Sequence, residues 1–224
     1  MARAEGVVHR RGALAPGVCA RWTRAVYAAR AQWAPCFEGV QFTLGRAWYT
    51  HLEEGRDDEY FQAAAGSDAL VERAVPGLQA RLGAMMAELV GAPVTPRSGW
   101  CGPGVHVFPA GAWLSRHGGD VHFDTEGLAP DDLAGRAPAV SVILMLQPPV
   151  RGGGLRVWDA RYAGADEVAE PERGESLLIE YAAGDLVAID SYRLHQIQPF
   201  AGDRDRISVT AHLVRRHGRW WTWF

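Results

Sequence analysis

The chain has 224 residues, of which 48% are hydrophobic, 10% aromatic and 22% charged; this suits one compact domain with a buried core and excludes the charge-rich, apolar-poor regime of disordered chains. A formal net charge of −3 supplies no basic field for a phosphate backbone, so no nucleic acid partner is expected. All 23 basic residues are Arg, which excludes lysine Schiff-base chemistry and the P-loop lysine.

The start, Met1-Ala2-Arg3-Ala4-Glu5 and onward through Val8, has no apolar run of signal-peptide length, and the longest apolar run, 140–146, is too short to span a bilayer. Cys19, Cys36 and Cys101 are odd in number and far apart, so neither a disulfide framework nor a CxxC site is indicated. The expectation is a soluble, cytoplasmic protein without a membrane partner, a monomer or homodimer.

In chain order, the pattern predicts a short strand at Val7 and Val8, a helix over 18–33 ended by Pro35, and an alternating strand over 40–44. Asp57 and Asp58 open an Ala-rich helical stretch; a second helical run follows Ser67-Asp68, is interrupted at Pro76 and continues to Val90. Residues 1–99 thus read as helical scaffold with flanking strands. From 100 to 224 the texture changes to short β-like runs at 105–108, 121–123, 140–146, 155–158, 177–181, 186–189, 196–198 and 207–214, separated by Gly, Pro and Asp. Their sum is a jelly roll of about eight strands. Pro148-Pro149 with Gly152-Gly153-Gly154 reads as a turn, and the acidic stretch 163–174 as a surface loop.

His122-Phe123-Asp124 lies in a stretch of strand character, where residues two apart project to one face with Cα atoms roughly 7 Å apart. A second imidazole must complete an ion site, and His195 is the candidate, following the turn and buried strand Gly184-Asp185-Leu186-Val187-Ala188-Ile189-Asp190. Two His and one carboxylate occupy one face of an octahedral iron(II) and leave the opposite positions open for oxygen chemistry. A zinc hydrolase is less suited, since no HExxH helix is present. Arg204, Arg206, Ser208, Thr210 and His212 share one parity, so in a strand they share a face; an arginine deep on that face can grip a carboxylate, with a hydroxyl adding a further bond.

Taken in order, His122-x-Asp124, the buried run 140–146, Gly152-Gly153-Gly154-Leu155, Gly184-Asp185-Leu186, His195-x-Ile197-x-Pro199, Gly202 and Arg206-x-Ser208 resemble the Fe(II)/2-oxoglutarate-dependent dioxygenases, particularly their prolyl-hydroxylase-like branch. The resemblance covers the C-terminal half. It implies a mainly β fold with N-terminal helices and a double-stranded β-helix (jelly-roll, cupin-like) core, in one domain over 1–224. It also implies that His122, Asp124 and His195 are catalytic and ligate iron, and that Arg206 with Ser208 binds 2-oxoglutarate. Fe(II), 2-oxoglutarate and O2 are the implied cofactors, with ascorbate as an optional reductant. The implied reaction couples oxidative decarboxylation of 2-oxoglutarate to hydroxylation or related C–H oxidation of a small molecule, such as an amino acid or natural-product intermediate.

The family pattern Gly-x-Arg-x-Ser is split here between Arg204 and Arg206; Arg206 keeps Arg-x-Ser within one strand, and Arg204 stays open as the second candidate. His212 stands where the family often has tryptophan. Phe108 stands where tyrosine is common, so the second co-substrate contact is unassigned. His117-x-Gly119 matches the pattern of iron halogenases, in which a small residue replaces the carboxylate ligand, and halogenation is therefore a rival activity. The same residues would also serve a prolyl-hydroxylase-like enzyme acting on a peptide or protein, or a non-catalytic jelly-roll sensor that only binds a metal. His106, Trp113, Arg116, Thr125, Glu126, Arg156 and Trp158 are candidates for substrate contact, with core packing or solvation as the plain reading. The aromatic run 219–224 reads as packing on the protein's own helices, or else as a dimer patch or lid.

Overall fold

The computed structural model describes residues 6–224; the reading of the N-terminal stretch rests partly on residues 1–5, outside the described residues. The elements run β1 (Val7–Arg10), α1 (Pro16–Ala28), β2 (Ala34–Cys36), β3 (Gln41–Leu44), α2 (Trp48–Glu53), α3 (Asp57–Ala74), α4 (Leu78–Val90), β4 (Val94–Pro96), β5 (Gly104–Phe108), α5 (Trp113–His117) and α6 (Pro130–Ala134). There follow β6 (Ala139–Gln147), β7 (Arg151–Gly152), β8 (Leu155–Arg161), β9 (Ser176–Ile179), β10 (Leu186–Asp190), β11 (Arg193–Ile197), β12 (Phe200–Ala201), β13 (Arg206–Arg216) and β14 (Arg219–Trp223). The protein is mainly β, with antiparallel sheets. The larger sheet has the order β1-β10-β6-β13-β5-β3-β2, with β14 on β13 and β4 parallel to β14; β11-β8-β9 form a smaller sheet.

Alternation along β13 divides the molecule into a packed side and an open one. Ile207, Val209, Ala211 and Leu213 are fully buried in a core shared with Cys19, Val26, Val71, Leu82 and Met86 of the helices. Ile207, Val209 and Leu213 each contribute about 1.5–3 kcal/mol on leaving water, enough to fix the register because a one-residue slip would turn the whole set outward. Arg206, Ser208, Thr210 and His212 are thereby forced to the opposite face. β6 repeats the pattern, with Val142, Leu144 and Leu146 toward the helices and Ile143 toward Leu155, Val157 and Ile179 of the smaller sheet.

Local chemistry explains the helices and their departures from expectation. Pro16 occupies the first turn of α1, where its missing N–H costs nothing; after α1 ends at Ala28 a tight turn over Arg30–Gln32 follows, and Ala34 to Cys36 are extended to pair with β3. α3 opens on Asp57, Asp58 and Glu59, favourable at the positive end of the helix dipole. No break occurs at Ser67-Asp68. Ser67 Oγ accepts from Arg46 N–H at 2.9 Å and Asp68 Oδ1 from Gly102 N–H at 2.8 Å, so these side chains bond to distant backbone instead of capping a new helix. The aromatic run 219–224 forms the sheet strand β14 and its C-terminal neighbour Phe224, with Trp220 buried in the core shared with Leu82 and Met86 of α4, and Trp223 and Phe224 also buried. The expected strand at 121–123 is absent apart from a single bridge between His122 and His195.

Asp185 pins the turn before β10. It is 2% exposed and accepts from His9 Nε2 at 2.9 Å, Gly12 N–H at 2.9 Å and Ala182 N–H at 3.0 Å. Gly184 has φ 89°, and a Cβ there would lie 2.1 Å from the Leu14 carbonyl oxygen, so only glycine fits. Burial opposes ionisation of Asp185, but the two backbone N–H groups and His9 override it and hold the carboxyl below its ordinary range. Because the folded-state pKa is depressed, this stabilisation is present above the unfolded value of about 3.9 and is lost as pH falls through the folded value. Asp185→Asn is therefore expected to cost about 2–3 kcal/mol in urea unfolding at pH 7, with the gap to the unaltered protein closing below about pH 4. A gap independent of pH would contradict an ionised anchor.

Candidate metal centre and anion pocket

On the open face of β13 lies a cavity of about 410 Å³, lined by all three residues of the His-x-Asp…His set and by Arg206, Ser208, Thr210 and His212. His122 and Asp124 are set by backbone bonds to β11 and to the turn before it. His122 N–H donates to His195 O at 3.0 Å and His195 N–H returns a bond to His122 O at 2.9 Å, while Asp124 N–H donates to Ser191 O at 3.0 Å. A loop thus holds the pair in the orientation that sequence alternation assigned to a strand.

Their side chains converge. Asp124 Oδ1 is 3.6 Å from His122 Nε2, Asp124 Oδ2 is 3.4 Å from His195 Nε2, and one donor atom from each residue falls within 4.8 Å of the others. Both imidazoles are oriented from behind: His122 Nδ1 donates to Asp120 O at 2.8 Å and His195 Nδ1 to Arg193 O at 2.9 Å. A backbone acceptor on Nδ1 fixes the tautomer that leaves Nε2 as a lone-pair donor, the arrangement metal-binding histidines use. Burial opposes a proton on His122, but Asp124 overrides it and raises its pKa to about 9; burial lowers His195 to about 4. Asp124 is held well below its usual range against the burial penalty, chiefly by His195 and His122. At neutral pH His122 therefore carries a proton beside Asp124, and a divalent cation that displaced this proton would find two imidazole nitrogens and one carboxylate.

At the other end of the cavity Arg206 is 1% exposed. Its Nε donates to Gly153 O at 3.2 Å and its Nη1 to Ser208 Oγ at 3.2 Å, with the Phe108 and Tyr181 rings 5.3 and 5.4 Å from the guanidinium carbon. Gly153 supplies that carbonyl from a left-handed conformation, φ 72°, in the triple-glycine turn. Among the described residues no carboxylate lies within 4.0 Å of Arg206. A guanidinium has five donors and stays charged, so this is a buried cation with donors to spare. Arg204, the second candidate, is exposed in the bend before β13 and lines no part of the cavity.

The remaining candidates divide. His106, Trp113 and Glu126 line the cavity; Arg116, Thr125, Arg156 and Trp158 do not. Arg156 is engaged by Gln198 and Ser176. His117 is exposed on α5 with Nδ1 on Trp113 O at 2.9 Å and is outside the cavity, so the His117-x-Gly119 pair supplies no ligand there. Tyr49, Glu53, Phe37 and Gln41 also line the cavity and come from the N-terminal half, where no motif marked them. A second hollow, about 590 Å³, lies around Leu89, Arg161 and Trp220 and contains none of these groups.

His212 is tied to the His/Asp/His donor set by a chain of hydroxyl groups. Its Nδ1 lies 3.1 Å from Ser141 Oγ, which lies 2.9 Å from Ser191 Oγ, and the Ser191 carbonyl holds the Asp124 N–H. Ser141→Ala breaks this chain and leaves the His212 Nδ1 without that partner. A loss of about 1–3 kcal/mol in urea unfolding at neutral pH is expected, and an unchanged midpoint would show the chain to be energetically idle.

No known family's sequence profile matches the chain, and no curated protein matches it in sequence. Solved structures share its fold. AviO1 from Streptomyces viridochromogenes superposes with a TM-score of 0.62 at 14% identity, over 96% of this chain and 92% of that one. The non-heme α-ketoglutarate-dependent epimerase SnoN, from nogalamycin biosynthesis, superposes with a TM-score of 0.59 at 16% identity over 96% and 80% of the two chains. SnoN has been crystallised with Fe3+, α-ketoglutarate and nogalamycin RO. A prolyl hydroxylase from Trichoplax adhaerens, in complex with a hypoxia inducible factor peptide, matches at a TM-score of 0.54 and 14% identity over 92% and 81%.

Proposed function

We propose that this chain, whose fold is shared with iron- and 2-oxoglutarate-dependent enzymes, is an Fe(II)/2-oxoglutarate-dependent oxygenase of a small molecule, with a double-stranded β-helix core. The observation that carries the reading is the meeting, in one cavity, of a His/Asp/His donor set and a buried guanidinium that has no carboxylate partner among the described residues. The donor set fits iron(II): two imidazole nitrogens and one carboxylate oxygen suit a divalent first-row metal and leave the cavity side open. His122, Asp124 and His195 would hold it. Bound iron supplies the power to couple O2 reduction to decarboxylation of 2-oxoglutarate, giving succinate and CO2, and to insertion of the second oxygen atom into a substrate C–H bond.

The chain's own residues then have separable tasks. Arg206 binds the distal carboxylate of 2-oxoglutarate through paired charged hydrogen bonds, with Ser208 Oγ beside it, and so points the keto acid end toward the donor set. Phe108, Leu114, Ile143, Leu155 and Ile197 in the lining exclude water from the reacting atoms. Asp120 and Arg193, through their carbonyls, keep the imidazoles in register. The binding of α-ketoglutarate and a small natural product by SnoN supports a small-molecule reading over a peptide one, as does a cavity of about 410 Å³, near the lower range of drug-sized pockets.

Anaerobic loading with Fe(II), followed by oxygen and 2-oxoglutarate, is expected to release succinate and CO2 above an iron-free control, and His122→Ala to abolish that release. Succinate formation unaffected by His122→Ala would overturn the ligand set. Arg206→Lys keeps the charge but loses the planar fork, and a rise of about tenfold or more in the KM for 2-oxoglutarate is expected. An unchanged KM would move the co-substrate elsewhere.

A further inference from the structure

Charge in the same cavity is not balanced once the cofactors are counted. On the reading above, iron(II) and Arg206 bring three positive charges, and Asp124 and the 2-oxoglutarate dianion three negative ones, so the loaded centre is neutral. Among the described residues the lining nevertheless retains three more carboxyl groups and no arginine besides Arg206: Glu53 and Asp120, both exposed, and the half-buried Glu126, whose pKa burial and nearby Asp124 raise to about 7. Among the described residues none of these three carboxylates has an arginine or histidine nitrogen within 4.0 Å. Two unlike observations point to an occupant. His106 forms part of the same wall, is 5% exposed, and its buried Nδ1 has no hydrogen-bond partner among the described residues, which is costly unless a polar ligand reorders the ring. Trp113 lines the cavity with half its surface in water, although a side chain of that size ordinarily buries more.

We propose that the prime substrate is a small organic ammonium with an apolar or aromatic body, its cationic nitrogen held by Glu53, Asp120 and Glu126 and its body laid against Trp113. Carboxylates in a cleft walled by low-dielectric protein concentrate cations, and an indole face adds an attraction of its own. His106 provides a neutral polar contact inside the pocket. The proposal rests on the oxygenase reading for its charge count and specifies the substrate class for that site.

Three probes of matched shape and different charge test it: benzylammonium, benzyl alcohol and benzoate, each titrated calorimetrically into the full chain loaded with redox-silent Mn(II) and 2-oxoglutarate. Benzylammonium is expected to bind about tenfold tighter than the alcohol and benzoate weakest, the tenfold corresponding to about 1.4 kcal/mol. In the double variant Glu53→Gln/Glu126→Gln the preference for the ammonium should fall to about twofold or less. Equal binding of ammonium and alcohol, tighter binding of benzoate, or a preference that survives in a folded double variant would overturn the proposal. The probe series in the unaltered protein decides even if the variant does not fold. Failure of 2-oxoglutarate to bind the Mn(II)-loaded chain contradicts the oxygenase reading instead, and the same series in the metal-free chain then tests the acidic pocket by itself.

Discussion

A permanent cation sealed beneath two aromatic rings constrains everything around it. Removing a guanidinium from water costs several kcal/mol, which two hydrogen bonds to Gly153 and Ser208 offset only in part. The fold must therefore be stable enough elsewhere to carry that cost, which a carboxylate bound beside the guanidinium would relieve. The apolar face of β13 provides that stability: the four side chains packed under the helices determine the direction in which Arg206 points. Core packing and ligand recognition thus lie on alternate residues of a single strand.

Backbone bonds between distant segments assemble the donor set in a comparable way. His195 sits on a strand of the smaller sheet, and His122 reaches it across a pair of reciprocal backbone bonds. Ser191, between β10 and β11, holds Asp124 through its carbonyl and joins His212 through Ser141. A change at any of these polar groups alters the geometry of the His/Asp/His set without touching its side chains, which is why the surrounding hydrogen bonds matter as much as the three donors.

Much of this was legible in the residues. Parity along 206–212 placed Arg206, Ser208 and His212 on one face because a buried strand leaves no other arrangement, and burial separates Arg206 from exposed Arg204. The strands after residue 100 were readable from alternation and glycine punctuation, although β14 was not, since its run of tryptophans carries no clear polar alternation. The loop character of 121–124 was hidden because convergence there comes from backbone bonds to residues some seventy positions away. Tyr49, Glu53 and Phe37 were invisible for a related reason: they reach the cavity through tertiary packing of short elements, and no local spacing encodes that approach.

The account turns on whether one ion and one dicarboxylate occupy the two ends of this cavity together. A crystal soaked with iron and 2-oxoglutarate under anaerobic conditions, with diffraction collected at the iron absorption edge, addresses this directly. The predicted result is a single anomalous peak bounded by His122, Asp124 and His195, with the distal carboxylate of the co-substrate against Arg206. An iron peak elsewhere, or a co-substrate that leaves Arg206 without an anion, would contradict it.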